Sequence, residues 1–309
     1  MSVLVTGASG NIGSAVVREL AADGHEVLAV ARRRPAVPRT SAHATVEWRC
    51  ADVARDDLDT LVSEVEAVVH LAWKIQPTHR PQETWETNAV GTRRLLAALG
   101  RNGAPPLVVA SSVAAYSPVD HDDPVDESWL TDGASPAAYC REKAYVERAL
   151  DGYEAAHPQA RVARVRPAFV FQRSAGSEQR RLFGGPLARP GLFERRRIPV
   201  LPVPRGLRFQ AVHSADVARA MRAAVTTGAA GAFNIAGDGV LDRKALGTCS
   251  ARQDLSGATR CGPRCPRRRL ASACGTRAGR PVHRADGVAA DVDRAGARGV
   301  RLGFGAHRG

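Results

Sequence analysis

The chain has 309 residues, 44% of them hydrophobic, so it can bury a large core. Its formal net charge of +13 raises the question of a nucleic-acid partner. The basic excess lies in segments 172–209 and 247–309, the remainder is mildly acidic, and aromatic residues that could stack on bases make up only 5%, so we expect no nucleic-acid partner. No apolar run approaches the roughly 20 residues that span a bilayer, and no basic leader precedes the first apolar run, so we expect a cytoplasmic protein with no membrane partner.

A glycine-rich turn follows the first predicted strand. The short apolar run Ser2–Thr6 is typical of a buried parallel strand, and residues 14–20 have helical periodicity. Between them, Gly7 would permit a tight turn, Gly10 the close approach of a pyrophosphate, and Gly13 the packing of helix on strand. Phosphates would bind N–H groups at the helix N-terminus. The residues predicted to contact them are Gly7, Gly10, Asn11, Ile12 and Gly13.

The second predicted strand, Glu26–Ala31, bears on the choice of dinucleotide. An acidic residue near the end of this strand binds the ribose 2′-hydroxyl in enzymes that select NAD. Here no acid lies between Val27 and Val46, and Arg32 follows the strand directly, with two further arginines. Because an arginine can pair with a 2′-phosphate, the sequence favours NADP over NAD, with Arg32 as the contact.

Two serines follow another predicted strand, Leu107–Ala110. Open α/β folds bind ligands at the carboxyl ends of their strands, where Ser111 and Ser112 would lie. A serine hydroxyl there can donate a hydrogen bond to a substrate carbonyl oxygen on which negative charge develops. The pair therefore predicts a catalytic serine.

Tyr139 and Lys143 are four residues apart on a helix predicted over 135–150, so they share one face of it. A lysine ammonium beside a tyrosine favours the phenolate, and we expect it to lower the pKa of Tyr139 from the ordinary value of about 10. The phenol would then serve as an acid or base near neutral pH. Lys143 can also hold the ribose of the dinucleotide.

Together these motifs resemble the short-chain dehydrogenase/reductase superfamily, and within it the extended, epimerase/dehydratase-like branch, over roughly residues 2–239. The resemblance implies an α/β fold with a Rossmann-type doubly wound parallel sheet and a small C-terminal substrate lobe. It also implies that Tyr139 is the acid/base and Lys143 its activator and ribose anchor. Ser112 is preferred to Ser111 as the catalytic serine because it lies four residues before Tyr116, as in the family's serine motif.

Further segments carry the same resemblance. Asp52-Val53 resembles the family's adenine-contacting pair, and residues 70–73 resemble its His-Leu-Ala-Ala motif, although Trp73 stands in the last position. Residues 88–92 match its Asn-x-x-Gly-Thr helix, and Arg166-Pro167 matches the end of its sixth strand. The residues that the resemblance adds to the cofactor site are Asp52, Val53, Leu71, Ala72, Asn88, Tyr139, Lys143 and Pro167.

The pattern divides the chain into a dinucleotide-binding domain (1–171), a substrate lobe interleaved with the last sheet elements (172–246) and an atypical tail (247–309). Nine arginines within 172–209 favour an anionic small-molecule substrate, although a solvated basic surface would have the same composition. In the tail, Cys261 and Cys265 have no histidine at finger spacing, so we expect no metal site. A flexible extension and translation in a shifted reading frame both fit its Arg/Gly/Cys-rich composition, and we expect it to be poorly packed.

Three functions remain open from the sequence. The first is a reductase or dehydrogenase acting on a carbonyl or secondary alcohol with NADP or NAD. The second is a nucleotide-sugar epimerase or dehydratase that recycles its NAD within one turnover. The third is a non-catalytic NADP-sensing protein, which the tyrosine–lysine pair disfavours. A homodimer is compatible with each of them.

Overall fold

The computed structural model describes residues 1–34, 45–75, 80–121, 123–134, 137–172 and 206–246. The strands are β1 Ser2–Thr6, β2 Glu26–Ala31, β3 Val46–Cys50, β4 Ala67–His70, β5 Leu107–Ala110, β6 Val162–Pro167, β7 Phe169–Phe171, β8 Ala211–His213 and β9 Gly231–Ile235. The α-helices are α1 Asn11–Ala22, α2 Asp59–Ser63, α3 Pro81–Trp85, α4 Gly91–Arg101, α5 Ala138–Ala156 and α6 Ser214–Thr227. A π-helical turn, Glu86–Val90, joins α3 to α4, and a 3₁₀ turn, Val113–Ala115, follows β5.

Seven of the strands form one parallel sheet in the order β3-β2-β1-β4-β5-β6-β9, and β7 and β8 form a separate parallel pair. The direction of winding reverses between β1 and β4, which places a topological switch point at their carboxyl ends. This confirms the predicted doubly wound fold. Because helices cover both faces, the central strands are apolar at nearly every position rather than at alternate ones.

Two apolar layers enclose the sheet. Side chains alternate along a strand, so Val3 and Val5 pack toward α1 and α6 on one face. Leu4 points to the other face and packs with the buried residues of α4 and α5, which include Leu95 and Leu150. The core therefore holds α1 on one face of the sheet and α5 on the other. The first turns of both helices lie at the ligand-binding edge of the sheet.

The helix that carries the tyrosine and lysine begins at Ala138 and continues to Ala156, past the predicted end at residue 150. It continues because Tyr153 extends the buried stripe of Val146 and Leu150 at helical spacing. Of the predicted substrate lobe, residues 206–246 supply β8, α6 and β9, and β9 pairs with β6 in the main sheet. Residues 173–205, with most of the arginines, and the tail 247–309 lie outside the described residues. Among the helices that the structure describes, none is both long and apolar enough to cross a membrane.

Candidate active site

The glycine turn after β1 requires glycine at two positions. Gly7 has a φ of +68°, and a Cβ there would lie 2.6 Å from the backbone nitrogen of Ala72. A Cβ on Gly13 would lie 2.2 Å from the carbonyl oxygen of Gly7. The hydroxyl of Thr6 also accepts the N–H groups of Leu71 and Ala72, at 3.2 and 3.3 Å. The first turn of α1 is thereby held against the ends of β1 and β4.

The N-terminus of α1 suits a pyrophosphate. Gly10 caps the helix without any side-chain hydrogen bond, and no acidic residue lies in the first turn. The first N–H groups of a helix have no intrahelical partner and carry partial positive charge. A Cβ on Gly10 would meet only the carbonyl oxygen of Gly7, at 3.2 Å, so the turn is open on its outer side. The predicted residues Gly7, Gly10, Asn11, Ile12 and Gly13 therefore lie together and fit the phosphates of a dinucleotide.

Asn11 links this helix end to the segment after β6, which sequence reasoning did not anticipate. Its side-chain amide donates to the carbonyl oxygen of Val170 at 3.2 Å, and its own carbonyl accepts from Gln172 Nε2 at 2.9 Å. Ser214 at the start of α6 donates to Gln172 Oε1 at 2.9 Å. These contacts join residues distant in the chain, so no local pattern in the sequence signals them.

The predicted adenosine end lies at the edge of the sheet formed by β2 and β3. Ala31 and Cys50 are in register, so Arg32 and Asp52 follow neighbouring strand ends. Arg32 is exposed, as a contact for a 2′-phosphate requires. Asp52 Oδ1 accepts the N–H of Ala54 at 2.9 Å and so shapes the turn that carries Val53.

Ser112, Tyr139 and Lys143 come together between the end of β5 and the first turns of α5. The side chain of Ser112 lies beside the Tyr139 hydroxyl and opposes the effect of burial on the pKa of that phenol. Ser112 Oγ also accepts the N–H of Ala114 at 3.1 Å, which fixes its rotamer. Lys143 is buried, and its Nζ donates to the carbonyl oxygen of Ala110 at 2.7 Å. The three residues chosen from sequence spacing thus form one cluster.

The two serines differ in their partners. Ser111 Oγ donates to Glu147 Oε1 at 2.5 Å, and Glu147 is fully buried between Ser111 and Arg166, whose guanidinium donates to it at 2.9 and 3.0 Å. The hydroxyl of Ser111 is therefore occupied in the interior, while Ser112 faces Tyr139. This contact supports the choice of Ser112 over its neighbour.

Electrostatics at the cluster differ from the sequence expectation. Burial raises the pKa of Tyr139, and the neighbouring Ser112 side chain opposes that shift only in part, so the expected lowering is wrong. Burial also lowers the pKa of Lys143 to about 7, against the opposing effect of Glu147 and Glu142. The physical reason is desolvation, which spacing along a helix does not reveal.

Asn88, predicted to contact the cofactor, has its side-chain amide engaged by protein groups. Its Oδ1 accepts the N–H of Lys74 at 2.7 Å, and its Nδ2 donates to the carbonyl of Lys74 at 3.0 Å and to Glu142 Oε2 at 2.6 Å. Glu142 is buried and also accepts from Thr84 at 2.7 Å. Both N–H groups of Nδ2 are thus used, and a dinucleotide could contact this side chain only as a second donor to Oδ1.

His70 has a structural role beside the cluster. Its Nδ1 lies 2.7 Å from Thr6 Oγ1 and its Nε2 lies 3.0 Å from Thr92 Oγ1, which ties β1, β4 and α4 together. Burial, with the charge of Lys143, lowers the pKa of His70 to about 3. The ring is therefore neutral at physiological pH. The neighbouring Leu71 and Ala72 lie at the same carboxyl edge, as does Pro167 at the end of β6.

The sequence model of the NAD dependent epimerase/dehydratase family matches residues 3–236. Among curated proteins, UDP-glucuronic acid decarboxylase 1 of Arabidopsis thaliana is 27% identical over 172 residues, 53% of this chain and 39% of that protein. UDP-glucose 4-epimerase of Corynebacterium glutamicum is 30% identical over 169 residues, 50% of this chain and 47% of that protein. The chain thus aligns with less than half of the length of either relative.

Among solved structures, MoeE5 in complex with UDP-glucose and NAD is 26% identical, with a TM-score of 0.64. The match covers 83% of this chain and 82% of the other. The structural similarity to this protein therefore covers most of the fold and not only the glycine turn.

Proposed function

This chain belongs to the NAD-dependent epimerase/dehydratase family, and we propose that it is an NAD(P)-dependent oxidoreductase that moves a hydride to or from a carbonyl or secondary alcohol carbon. The observation that carries the proposal is that Ser112 and Tyr139 lie side by side, with Lys143 one helical turn farther along α5. This cluster lies at the carboxyl edge of the sheet that also holds the glycine turn. Proton-transfer groups and a phosphate site at one edge are what such a reaction requires.

The nicotinamide ring, when bound, supplies the hydride acceptor or donor. In the oxidative direction the Tyr139 oxygen removes the proton from the substrate hydroxyl, and in the reductive direction it returns that proton to the carbonyl oxygen. Ser112 donates a hydrogen bond to the same substrate oxygen while negative charge develops on it. Burial raises the pKa of Tyr139, and we expect Lys143, one helical turn away, to favour the tyrosinate when the lysine is charged.

A nucleotide-sugar epimerase or dehydratase is the second candidate, and the names of the relatives favour it. The curated relatives act by name on UDP-glucuronic acid and UDP-glucose, and MoeE5 was solved with UDP-glucose and NAD. In this case Tyr139 would perform the same proton transfer, and the hydride would return to the sugar within one turnover. The substrate would be anionic, as the nine arginines of residues 172–209 predict; most of these arginines lie outside the described residues. A non-catalytic sensor of NADP would have no use for the Ser112–Tyr139 pair.

We propose that the chain prefers NADP to NAD. The exposed Arg32 directly after β2 supports this, together with the absence of any acid between Val27 and Val46 in the sequence. A guanidinium can bind a 2′-phosphate through two parallel hydrogen bonds, whereas the ribose hydroxyl of NAD offers it a neutral partner. Against this stands the NAD dependence in the family's description.

One experiment separates the candidates. The purified full chain is incubated with NADPH or NADH and a panel of carbonyl compounds, and separately with UDP-glucose or UDP-glucuronic acid plus NAD. Net consumption of reduced nucleotide identifies a reductase. A changed sugar nucleotide without net change in nucleotide redox state, read by chromatography, identifies the epimerase or dehydratase. Dinucleotide binding with neither product, in a folded protein, would overturn the enzyme proposal in favour of the sensor.

A homodimer stays a prediction. Trp85 at the end of α3 packs against Tyr145 of α5 with the rings tilted by 52° and their centroids 4.6 Å apart, and it remains 41% exposed. Val90, in the π-helical turn, is 38% exposed. Association of two copies through this apolar surface would shield both residues. Sedimentation velocity of the wild type against Trp85→Glu tests it, and a monomeric wild type would contradict it.

A further inference from the structure

Trp73 occupies the last position of the segment 70–73, where the family motif has alanine, and its indole lies against the proposed catalytic lysine. Lys143 Nζ is 3.4 Å from the centroid of the Trp73 ring. The ring of Tyr139 stands edge-on to the same indole, with centroids 5.9 Å apart and planes at 79°. Trp73 therefore contacts two of the three residues proposed to carry the chemistry.

We propose that Trp73 is a positioning residue whose ring face holds the Lys143 ammonium charged and aimed at the carboxyl end of β5. This inference rests on the proposed function. An ammonium above an indole is attracted by the negative face of the ring, and tryptophan is the strongest of the aromatic partners. The carbonyl oxygen of Ala110, 2.7 Å from Nζ, fixes the other side. Two contacts from different elements thus define where the charge lies relative to Tyr139.

The neighbouring titratable groups do not hold the Lys143 ammonium in place, because each is engaged elsewhere or is neutral. On α5, Glu142 is bonded to Thr84 and Asn88, and Glu147 is bonded to Ser111 and Arg166. On β4, His70 has a pKa of about 3 and is neutral. Both carboxylates favour the charged lysine from a distance, but each is held by other donors. The titratable groups that surround Lys143 are Tyr139, Glu142, Glu147 and His70.

Packing alone does not account for an indole at this position. Trp73 Nε1 is buried and has no hydrogen-bond partner within the described part of the chain. An unpaired buried donor costs free energy, which a phenylalanine or leucine at this position would avoid. The benefit of tryptophan therefore lies in its ring face, which Lys143 occupies.

The first test needs no substrate. The chain has four tryptophans, so Trp48→Phe, Trp85→Phe and Trp129→Phe leave Trp73 as the sole emitter. Its fluorescence should titrate with an apparent pKa of about 7, the value for Lys143, as the ammonium on the ring loses its proton. Adding Lys143→Met should remove that titration. A flat emission between pH 5.5 and 9, or one that still titrates in the Lys143→Met protein, would overturn the inference.

The second test uses turnover. Trp73→Leu keeps the site apolar but removes the ring face, and Trp73→Phe keeps a weaker one. Loss of the cation–π contact should lower the pKa of Lys143 by roughly one unit. The kcat/KM profile, which reports the free enzyme, should then fall about tenfold above pH 7, with the loss shrinking below pH 6, and Trp73→Phe should recover most of it. A loss that is equal at every pH would mean a packing role only.

The two tests separate the failure of this inference from that of the proposed function. If no substrate turns over but the emission of Trp73 follows Lys143, the positioning contact exists and the proposed function is wrong. If turnover is found but the emission is independent of Lys143, the inference about Trp73 alone fails. Near-ultraviolet circular dichroism of each variant checks that the fold is kept.

Discussion

Lys143 is expected to destabilise the fold, and removing its charge should make the protein more stable while abolishing turnover. Its pKa lies at about 7 in the folded protein, against an ordinary 10.5. By linkage this difference corresponds to roughly 5 kcal/mol at or below pH 7. Lys143→Met removes that cost but leaves the carbonyl oxygen of Ala110 without its donor, which costs about 1–3 kcal/mol. We therefore expect a net gain of about 2–4 kcal/mol at neutral pH.

The sign of the pH dependence follows from the same shift. Between pH 7 and 10.5 the unfolded chain binds more protons at this lysine than the folded one, so the stability of the wild type rises with pH over this window. The destabilising cost of Lys143 is fully present at or below about pH 7 and disappears as the pH rises above 10.5. The advantage of Lys143→Met should thus be largest near pH 7 and shrink as the pH rises toward 10.

Urea unfolding monitored by circular dichroism at several pH values measures both quantities. Lys244→Met, which removes an exposed lysine, is the matched control and should change the free energy of unfolding little. The reasoning fails if Lys143→Met is no more stable than the wild type at pH 7, or if its advantage does not diminish with rising pH. Either result would mean that Lys143 is solvated and lies outside the buried cluster.

Four other predictions follow from the site. Tyr139→Phe should reduce turnover by roughly 10²–10⁴-fold while cofactor affinity is kept, because only the acid/base group is deleted; unchanged kcat would exclude the assigned role. Arg32→Ala should abolish most of the preference for NADP in binding titrations, and a wild type that binds NAD and NADP equally would contradict the assignment. Because the pKa of His70 is about 3 against an ordinary 6.5, stability should fall as the pH drops from 6.5 toward 3, and His70→Asn should flatten that part of a urea-midpoint profile. Truncation after Leu246 should leave dinucleotide binding intact, since every predicted cofactor contact precedes residue 168; loss of binding would show that the tail completes the fold.

Local spacing predicted several residues of the candidate site that the structure brings together. Gly7 and Gly13 can be predicted from the sequence because a tight turn and a close helix–strand contact tolerate no side chain. The structure places backbone atoms within 3 Å of where each Cβ would be. The pairing of Tyr139 with Lys143 can be predicted because side chains four residues apart lie on the same face of a helix. Each inference depends on a few consecutive residues, so the sequence alone carries it.

What the sequence did not reveal depends on residues far apart in the chain. One such contact is the hydrogen bond from Ser111 to Glu147, 36 residues later, which supports the choice of Ser112 made from the family motif. The raised pKa of Tyr139 comes from burial, which arises only when β5, α5 and the segment after β4 come together. Such desolvation has no counterpart in spacing or composition, so the expectation for Tyr139 had the wrong sign.

A buried polar network fixes the orientation of the residues around Lys143. Asn88, Glu142 and Glu147 form hydrogen bonds to partners on other elements, so their orientation is set before any ligand binds. Groups that are oriented in advance need little reorganisation when charge develops on a substrate oxygen. The burial of Lys143 among hydrogen-bonded polar groups therefore has two consequences: it costs free energy of folding, and it gives the lysine rigid surroundings. A solvated lysine would avoid this cost of burial, but its ammonium would not lie in a fixed position beside Tyr139.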